Sequence, residues 1–379
     1  MNYKCIYSLK GADEATFNSR EHIIPACIGG MKKLPKGYVS DQANEMFSKM
    51  ELEFARNTEI SMMREMLGPG KKGSLNPKKA TSSKIRLMQN KENSEYNLGY
   101  LQLGKPCSIS QIHVYEHLNK IRFSLVPNND INNNDNFYSF WNKLQNLINV
   151  IAIEMIISTE LNETEFILGC HKDKWYLAMS ETQCSNKYKN HVITFVKQMI
   201  KAHECNAFVL PIHELENAKP NLFQTSMSYQ FAFNYEDRYR VIAKIAFNGL
   251  AHLMGNTHVL KHEYDPIRNA IYQGNDMHRF FDMMNYSSEC NSFEDIFRCF
   301  DTIQNKTLGE WFHGLIYFGA MGNQKCAVGL YGLKRPHIIN LAKNIYNPFF
   351  GGFFCNWKEK QEMDMMEYIN VLLNNPTNV

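Results

Sequence analysis

An acidic residue and a histidine stand side by side near the start of the chain, in a run that favours an extended backbone. The run reads Arg20-Glu21-His22-Ile23-Ile24-Pro25 and is followed by Gly29-Gly30. The β-branched residues favour a strand, and the proline and glycines mark its end. A neutral imidazole can act as a general base, and a carboxylate can hold a divalent metal ion. The pair therefore has the residue types that hydrolysis of a phosphodiester needs.

A helix is predicted shortly after this pair. Apolar residues recur at helical spacing in the run Met46-Phe47-Met50-Phe54. Asn44 precedes them, and asparagine is a preferred helix N-cap. Glu51 lies seven residues after Asn44, almost two helical turns, so both side chains project from one face. Glu53 is the other carboxylate nearby.

This order of residues resembles the HNH nucleases, over roughly residues 1–66. Members of that family cut phosphodiester bonds with a ββα-metal fold. The resemblance implies that His22 is the general base, that Asn44 orients His22 through a hydrogen bond, and that Glu21 is a metal ligand. The helix of the family usually supplies a further His or Asn; here Glu51 is the preferred candidate and Glu53 the alternative. Because hard cations accept carboxylate oxygens, the expected cofactor is Mg²⁺ or Mn²⁺.

Many nucleases of this type also carry a structural zinc ion held by two Cys-x-x-Cys pairs. The equivalent positions here read Cys5-Ile6-Tyr7-Ser8 and Ser40-Asp41-Gln42-Ala43, so three of the four ligands are replaced. A closed zinc site needs four ligands. We therefore expect no structural zinc, and apolar side chains must hold this region together instead: Ile6, Ile23, Ile28, Leu34 and Phe47.

Composition is that of a soluble globular protein. The hydrophobic fraction is 44% and the charged fraction 21%, and no apolar run is long enough to span a membrane. The first residues lack the apolar core of a signal peptide. Ten cysteines without repeated spacing read as reduced thiols. These features favour a cytoplasmic protein without membrane contact.

Positive charge is concentrated in one stretch although the net charge is only +3. Between Glu65 and Glu92 there are seven basic residues and no acidic ones. The candidates for contacts with DNA phosphates are Lys32, Lys33, Lys71, Lys72, Lys78 and Lys79. Glycine and proline among the later lysines predict a loop. Phosphate contact beside the active site and a solvated linker are both consistent with this pattern.

The predicted fold class is α+β, with an N-terminal ββα-metal (HNH) module followed by a larger mixed, mainly helical C-terminal domain. The predicted divisions are a nuclease module at 1–67, a basic linker at 68–83 and a regulatory or binding region at 84–379, with a sub-boundary near 126–136. Alternating patterns predict strands within 84–125 and over Asp173–Ala178. Helices are predicted over Phe137–Ser158, His191–His203 and Arg238–Met254.

The expected function is metal-dependent cleavage of DNA, with the long C-terminal region selecting the target, a protein partner or the active state. HNH modules fused to a large further region resemble bacterial restriction and anti-phage nucleases. The alternative is an HNH-fold protein that binds nucleic acid, or acts as a scaffold, without cutting. A homodimer or a partnered complex is expected if both strands of a duplex are cut.

Overall fold

Two compact units make up the chain. The computed structural model describes residues 3–90, 94–117, 120–128, 137–146, 152–162, 165–181, 186–204, 225–226, 234–282, 311–332 and 336–374. Unit 1 comprises Met1–Thr81 and Phe231–Val379, and unit 2 comprises Ser82–Gln230. Unit 1 is thus built from both ends of the chain. This differs from the predicted division, because the N-terminal module shares its unit with the last third of the sequence.

The helices of unit 1 come from both parts of the sequence. In the described residues they are α1 (Asp41–Asn57), α2 (Glu59–Met66), α5 (Tyr235–Met254), α6 (Asn256–Val259), α7 (Asp265–Gln273) and α8 (Met365–Asn374). Short 3₁₀ turns cover Ala26–Ile28, Lys71–Gly73, Pro77–Lys79, His262–Tyr264 and Met277–Phe280. Helix α5 is buried on every face from Val241 to Ala251, so it is a central element of this unit.

A five-stranded antiparallel sheet completes unit 1. Its strands are β10 (Phe312–Ala320), β11 (Asn323–Gly329), β12 (His337–Ala342), β13 (Gly351–Asn356) and β14 (Gln361–Asp364), in the order β12-β11-β10-β13-β14. Alternate residues serve opposite faces. Leu315 and Phe353 join the main core with α5, whereas Ile316 and Phe354 join a second cluster that contains Tyr368 of α8.

The five apolar residues expected to stabilise the N-terminal region are all fully buried: Ile6, Ile23, Ile28, Leu34 and Phe47. They belong to the same core as the buried face of α5 and strands β10 and β13. Residues near the start of the chain therefore obtain much of their apolar contact from residues after 240. This explains why the described residues do not form a separate module at 1–67.

Unit 2 contains two sheets and two described helices. The strands are β1 (Arg86–Asn90), β2 (Tyr96–Gln102), β3 (Lys105–Ser108), β4 (Ser110–His117), β5 (Lys120–Val126), β6 (Ile153–Ser158), β7 (Glu165–His171), β8 (Lys174–Ser180) and β9 (Thr225–Ser226), and the helices are α3 (Phe137–Gln145) and α4 (Asn186–Glu204). The sheet orders are β3-β2-β1-β9 and β5-β4-β7-β8-β6. Leu168 packs toward the helices and Ile167 toward the smaller sheet, which gives three layers.

The α+β class is confirmed, and so are several predicted elements. Strands occupy most of the described part of 84–125 and most of Asp173–Ala178, and helices cover His191–His203 and Arg238–Met254. The predicted helix over Phe137–Ser158 is wrong at its end, because Ile153–Ser158 pairs as a parallel strand with β8. Residues 147–151 lie outside the described part of the chain.

The C-terminal region was predicted to be mainly helical, and its described residues contain three β-sheets beside their helices. The described residues contain fourteen strands, all of them after residue 84. Apolar runs of four to eight residues, such as those of β10 and β13, serve strands and buried helices equally well, so periodicity alone does not separate them. Within the described residues, no helix has both the length and the apolar character that crossing a membrane requires.

Candidate functional site

The Glu21–His22 pair lies in an irregular antiparallel hairpin. His22 pairs with Lys33 in an isolated bridge, the Ile23 N–H donates to the Lys32 carbonyl (3.0 Å), and the Leu34 N–H donates to the Glu21 carbonyl (2.8 Å). No regular strand forms among the described residues before Arg86. Neighbouring residues of an extended segment face opposite sides. Accordingly, Glu21 is buried and His22 is half-buried.

The loop that connects the two sides of the hairpin needs glycine for two physical reasons. Gly29 has a φ of +105°, and a Cβ atom at this position would lie 2.4 Å from the Cβ of Trp357. A Cβ at Gly30 would lie 1.9 Å from the Ile24 carbonyl oxygen. Only glycine combines this backbone with such close approach. Glycine is therefore required at the turn that the sequence predicts here, and Trp357, the residue after β13, packs directly on it.

The carboxylates of Glu21 and Glu51 converge on a single cation, the ammonium of Lys244. Lys244 Nζ lies 2.9 Å from Glu21 Oε1 and 2.6 Å from Glu51 Oε1. The Lys244 side chain has no exposed surface, and those of Glu21 and Glu51 are 3% and 17% exposed. Nζ also lies 5.3 Å from the centre of the Phe47 ring, a cation–π contact. A closed cluster of one positive and two negative groups results.

Helix α5 supplies a second polar side chain one turn after Lys244. Asn248 Nδ2 donates to the His22 carbonyl (2.9 Å), and the Tyr7 hydroxyl donates to Asn248 Oδ1 (2.6 Å). The His22 N–H donates to Glu21 Oε1 (2.9 Å). Residues four apart on a helix share a face, so α5 holds the Glu21 side chain and the His22 backbone together.

Electrostatics keep the His22 imidazole neutral. Burial lowers the pKa of His22 below its ordinary value, and the positive charge of Lys33 lowers it further, while the Glu21 carboxylate raises it only in part. Burial raises the pKa of Glu51, against the opposing effect of Lys244. Burial acts to lower the pKa of Lys244, but the two carboxylates outweigh this and hold its pKa above the ordinary value. Lys244 is therefore charged, and His22 has the protonation state of a base.

Asn44 does not have the contact expected for it. Its Nδ2 donates to Ser19 Oγ (2.9 Å), and no hydrogen bond to His22 is found for it among the described residues. It is not the N-cap either, because the Ser40 Oγ accepts from the Ala43 N–H and α1 begins at Asp41. Serine caps a helix as well as asparagine does. The negative charge of Asp41 in the first turn also interacts favourably with the helix dipole. The helix therefore starts earlier than predicted.

The structure distinguishes between Glu51 and Glu53. Glu51 reaches the cluster around Lys244, whereas Glu53 is exposed and accepts a hydrogen bond from Asn57 one turn further along α1. Two positions along a helix turn the side chain by about 200°. Of the two alternatives left open by the sequence, only Glu51 shares the site with Glu21.

The positions equivalent to the zinc-binding pairs do come together. The backbone N–H of Ser40 donates to Cys5 Sγ (3.4 Å), and the Ser40 hydroxyl lies 3.5 Å from the same sulfur. Both residues are buried. The Cys5 thiol and the Ser40 hydroxyl thus lie in contact at positions where related nucleases have zinc ligands, and apolar side chains pack around them.

The six candidate DNA-contacting lysines all have exposed side chains: Lys32, Lys33, Lys71, Lys72, Lys78 and Lys79. The stretch that carries the last four is folded rather than a free linker. A Cβ at Gly70 would lie 2.0 Å from the Lys79 carbonyl oxygen, and Arg64 donates to Cys27 (2.9 Å) and to Thr81 Oγ1 (3.1 Å). The segment through Thr81 therefore belongs to unit 1 and presents its charges from a fixed backbone.

An HNH-type centre would hold a divalent ion at these carboxylates. Among the residues that the structure describes, no three Asp, Glu, His or Cys side chains form a metal-binding group. Glu21 and Glu51 are suitable donors, because Mg²⁺ often binds only one or two carboxylates, with water and phosphate oxygens as the other ligands. Lys244 Nζ already bonds to both. In the described arrangement the residues therefore do not fit a divalent ion.

Lys244 and Asn248 were not identified from the sequence. The helix predicted over Arg238–Met254 could be amphipathic or wholly buried, and the structure shows it buried from Val241 to Ala251. The available signal was a lysine and an asparagine four residues apart within this apolar run. A buried cation needs an anionic partner, so their presence in such a helix indicates carboxylates facing it.

Comparisons with protein-family models, with curated proteins and with solved structures find no match to this chain.

Proposed function

We propose that unit 1 is an HNH-type endonuclease that hydrolyses phosphodiester bonds in DNA. The observation that carries the proposal is the convergence of Glu21 and Glu51 on one point beside His22. These residues lie 30 positions apart on a hairpin and a helix, the order of elements on which the resemblance to the HNH nucleases rests. Two buried carboxylates that lie together beside the His22 backbone cost free energy, and apolar packing of the core does not require such a pair.

In this proposal each group has a distinct task. His22, half-buried and neutral, takes a proton from the attacking water. Lys33 is exposed beside it and attracts the phosphate. Asn248 and Glu21 fix the His22 backbone through its carbonyl and its N–H.

The matched pair Glu51 and Glu53 tests this assignment. We expect Glu51→Gln to reduce the cleavage rate by on the order of 10²-fold or more, because it removes a carboxylate of the centre. Glu53→Gln should cut at the wild-type rate. Glu51→Gln is expected to fold, because Lys244 and Glu21 still neutralise each other.

The measurement is relaxation of supercoiled plasmid by purified protein with Mg²⁺, Mn²⁺ or EDTA. Equal cleavage by wild type and Glu51→Gln would remove Glu51 from the site. Absence of cleavage by wild type, under every metal condition and also after Lys244 is replaced with glutamine, would contradict the nuclease proposal itself.

The exposed lysines predict salt-dependent DNA binding. If Lys71, Lys72, Lys78 and Lys79 each contact a phosphate, replacing all four with alanine should reduce the slope of log K against log salt by about 3 to 4. Fluorescence anisotropy of a labelled duplex between 50 and 200 mM salt, concentrations over which such contacts change affinity strongly, measures this slope. A double replacement of Lys172 and Lys174, both exposed on unit 2, is the control. An unchanged slope would show that the four lysines serve solubility only.

A second candidate function is supported by Lys244. An ammonium bonded to both carboxylates can replace a metal ion permanently, which would leave an HNH-type fold that binds nucleic acid, or acts as a scaffold, without cutting. This alternative predicts salt-dependent binding and no metal-dependent cleavage by any variant.

The cellular setting that we propose is bacterial restriction or anti-phage defence in the cytoplasm, with the rest of the chain controlling the centre. Its support is the resemblance of HNH modules carrying a large further region to such nucleases, which is an argument by analogy. A second copy of the chain or a protein partner would supply the second cut in a duplex.

A further inference from the structure

We propose that Lys244 occupies the cation position of the centre and keeps it closed, so that its ammonium and a divalent ion compete for Glu21 and Glu51. This inference rests on the proposed function, because it concerns how the same centre is switched on. It makes the chain from Phe231 onward, which carries Lys244, the part that controls metal binding by the hairpin and α1.

Geometry supports competition rather than coexistence. Nζ bonds to one oxygen of each carboxylate, at 2.9 and 2.6 Å, and so occupies the point between them. An ion bridging Glu21 and Glu51 would need that same point, since its bonds to oxygen are only 2.0–2.6 Å long. Among the described residues, Glu21 and Glu51 are the ion-pair partners of the fully buried Lys244, and no third partner is found.

Charge makes the exchange favourable once Lys244 leaves. Two ionised carboxylates and one ammonium would together carry a net charge of −1 in an almost fully buried cluster. A divalent ion in place of the ammonium would make the cluster neutral, and uncompensated buried charge is costly. Lysine is suited to such a movement, because its charge stands at the end of a flexible four-carbon stem.

Manganese binding by the Lys244→Gln variant tests the proposal. The glutamine amide can still donate a hydrogen bond to a carboxylate but carries no charge. Isothermal titration of Mn²⁺ without DNA should give a Kd at least tenfold lower for Lys244→Gln than for wild type. At the same Mn²⁺ concentration, the Tm of the variant should rise more than that of wild type. Lys49→Gln, which removes an exposed lysine from α1, should behave as wild type.

A measurement on wild type covers the case in which Lys244→Gln does not fold. Lysine acetylation followed by mass spectrometry should find Lys244 protected without metal and labelled at millimolar Mn²⁺, with labelling of Lys49 unchanged. No rise in Lys244 labelling would overturn the proposal. Equal Mn²⁺ affinity of wild type and a folded Lys244→Gln variant would also overturn it.

The two proposals, competition for the carboxylates and nuclease activity, can fail independently, and the experiments distinguish these failures. Tight Mn²⁺ binding by Lys244→Gln, with no DNA cleavage by any variant, would sustain the competition and contradict the nuclease. Metal-dependent cleavage by wild type, with Mn²⁺ affinity unchanged in Lys244→Gln, would sustain the nuclease and contradict the competition. Adding Glu51→Gln to Lys244→Gln should remove the gained affinity, which places the bound Mn²⁺ at this centre.

Discussion

Replacing His22 with alanine is expected to reduce the rate of DNA cleavage by about 10²–10⁴-fold, the usual contribution of a positioned general base. The fold should survive, because the contacts that fix this residue use its backbone N–H and carbonyl rather than its ring. Initial rates of plasmid nicking measure the first effect, and chemical denaturation measures the second.

The matched control for this variant is His262→Ala, since the His262 side chain is 88% exposed. It should cut at the wild-type rate. Retention of wild-type cleavage by His22→Ala, in preparations free of contaminating nuclease, would exclude His22 as the base. A loss of folding together with activity would show that the ring has a packing role that its half-buried position does not indicate.

The same residue sets the expected pH dependence. Burial and Lys33 hold the pKa of His22 below its ordinary value, so the neutral base persists to lower pH and the acidic limb of the rate profile should lie below about 6.5. Lys33→Ala removes a positive charge and should move that limb to higher pH. If the acidic limb does not move in Lys33→Ala, the charge of Lys33 does not influence the pKa of the base.

Replacing Arg268 with alanine is expected to destabilise unit 1 by about 2–6 kcal/mol, because two buried carbonyl groups lose their donor and each such loss costs about 1–3 kcal/mol. The Arg268 side chain has no exposed surface. Its guanidinium donates to the carbonyls of Ile6 (2.8 Å) and Val259 and pairs with Asp265. Truncation leaves these buried carbonyl groups without their donor.

Arg279 provides a close control. It also pairs with an aspartate three residues earlier, Asp276, but its side chain is 68% exposed. Exposed ion pairs contribute about 0–1 kcal/mol, so Arg279→Ala should change the free energy of unfolding by no more than that. Urea denaturation of both variants gives the comparison. A loss below about 1 kcal/mol for Arg268→Ala would show that water or nearby donors replace its contacts.

The sequence was sufficient to find one half of the candidate site. Glu21, His22 and Glu51 could be selected because a hairpin turn and helical spacing are local properties, and local spacing fixes which side chains share a face. Lys244 and Asn248 could not be placed in the same way. Their contact with residues 21 and 22 spans more than 220 positions, and no single-sequence periodicity reports a pairing at that separation.

Local ambiguity explains the other differences. Ser40 and Asn44 are both good N-caps, and the choice depends on how the preceding chain approaches the helix. The isoleucine-rich run at Ile153–Ser158 suits a buried helix or a buried parallel strand equally, and its pairing with β8 decides between them. Strands β10 and β13 were missed for the same reason, since they become a sheet only by pairing with each other.

The two parts of unit 1 are packed together in the fold but are synthesised at different times, because unit 2 lies between them in the sequence. The hairpin and α1 are made before unit 2, and the helix that covers them follows only after all of unit 2 has been made. At roughly 5–20 residues per second, the intervening stretch of about 150 residues takes about 7–30 s to translate. During that interval the growing chain has Glu21 and His22 without Lys244, Asn248 or the apolar cover of α5. The ion pairs of Glu21 and Glu51 with Lys244 therefore form late in the synthesis of unit 1, after unit 2 has been made.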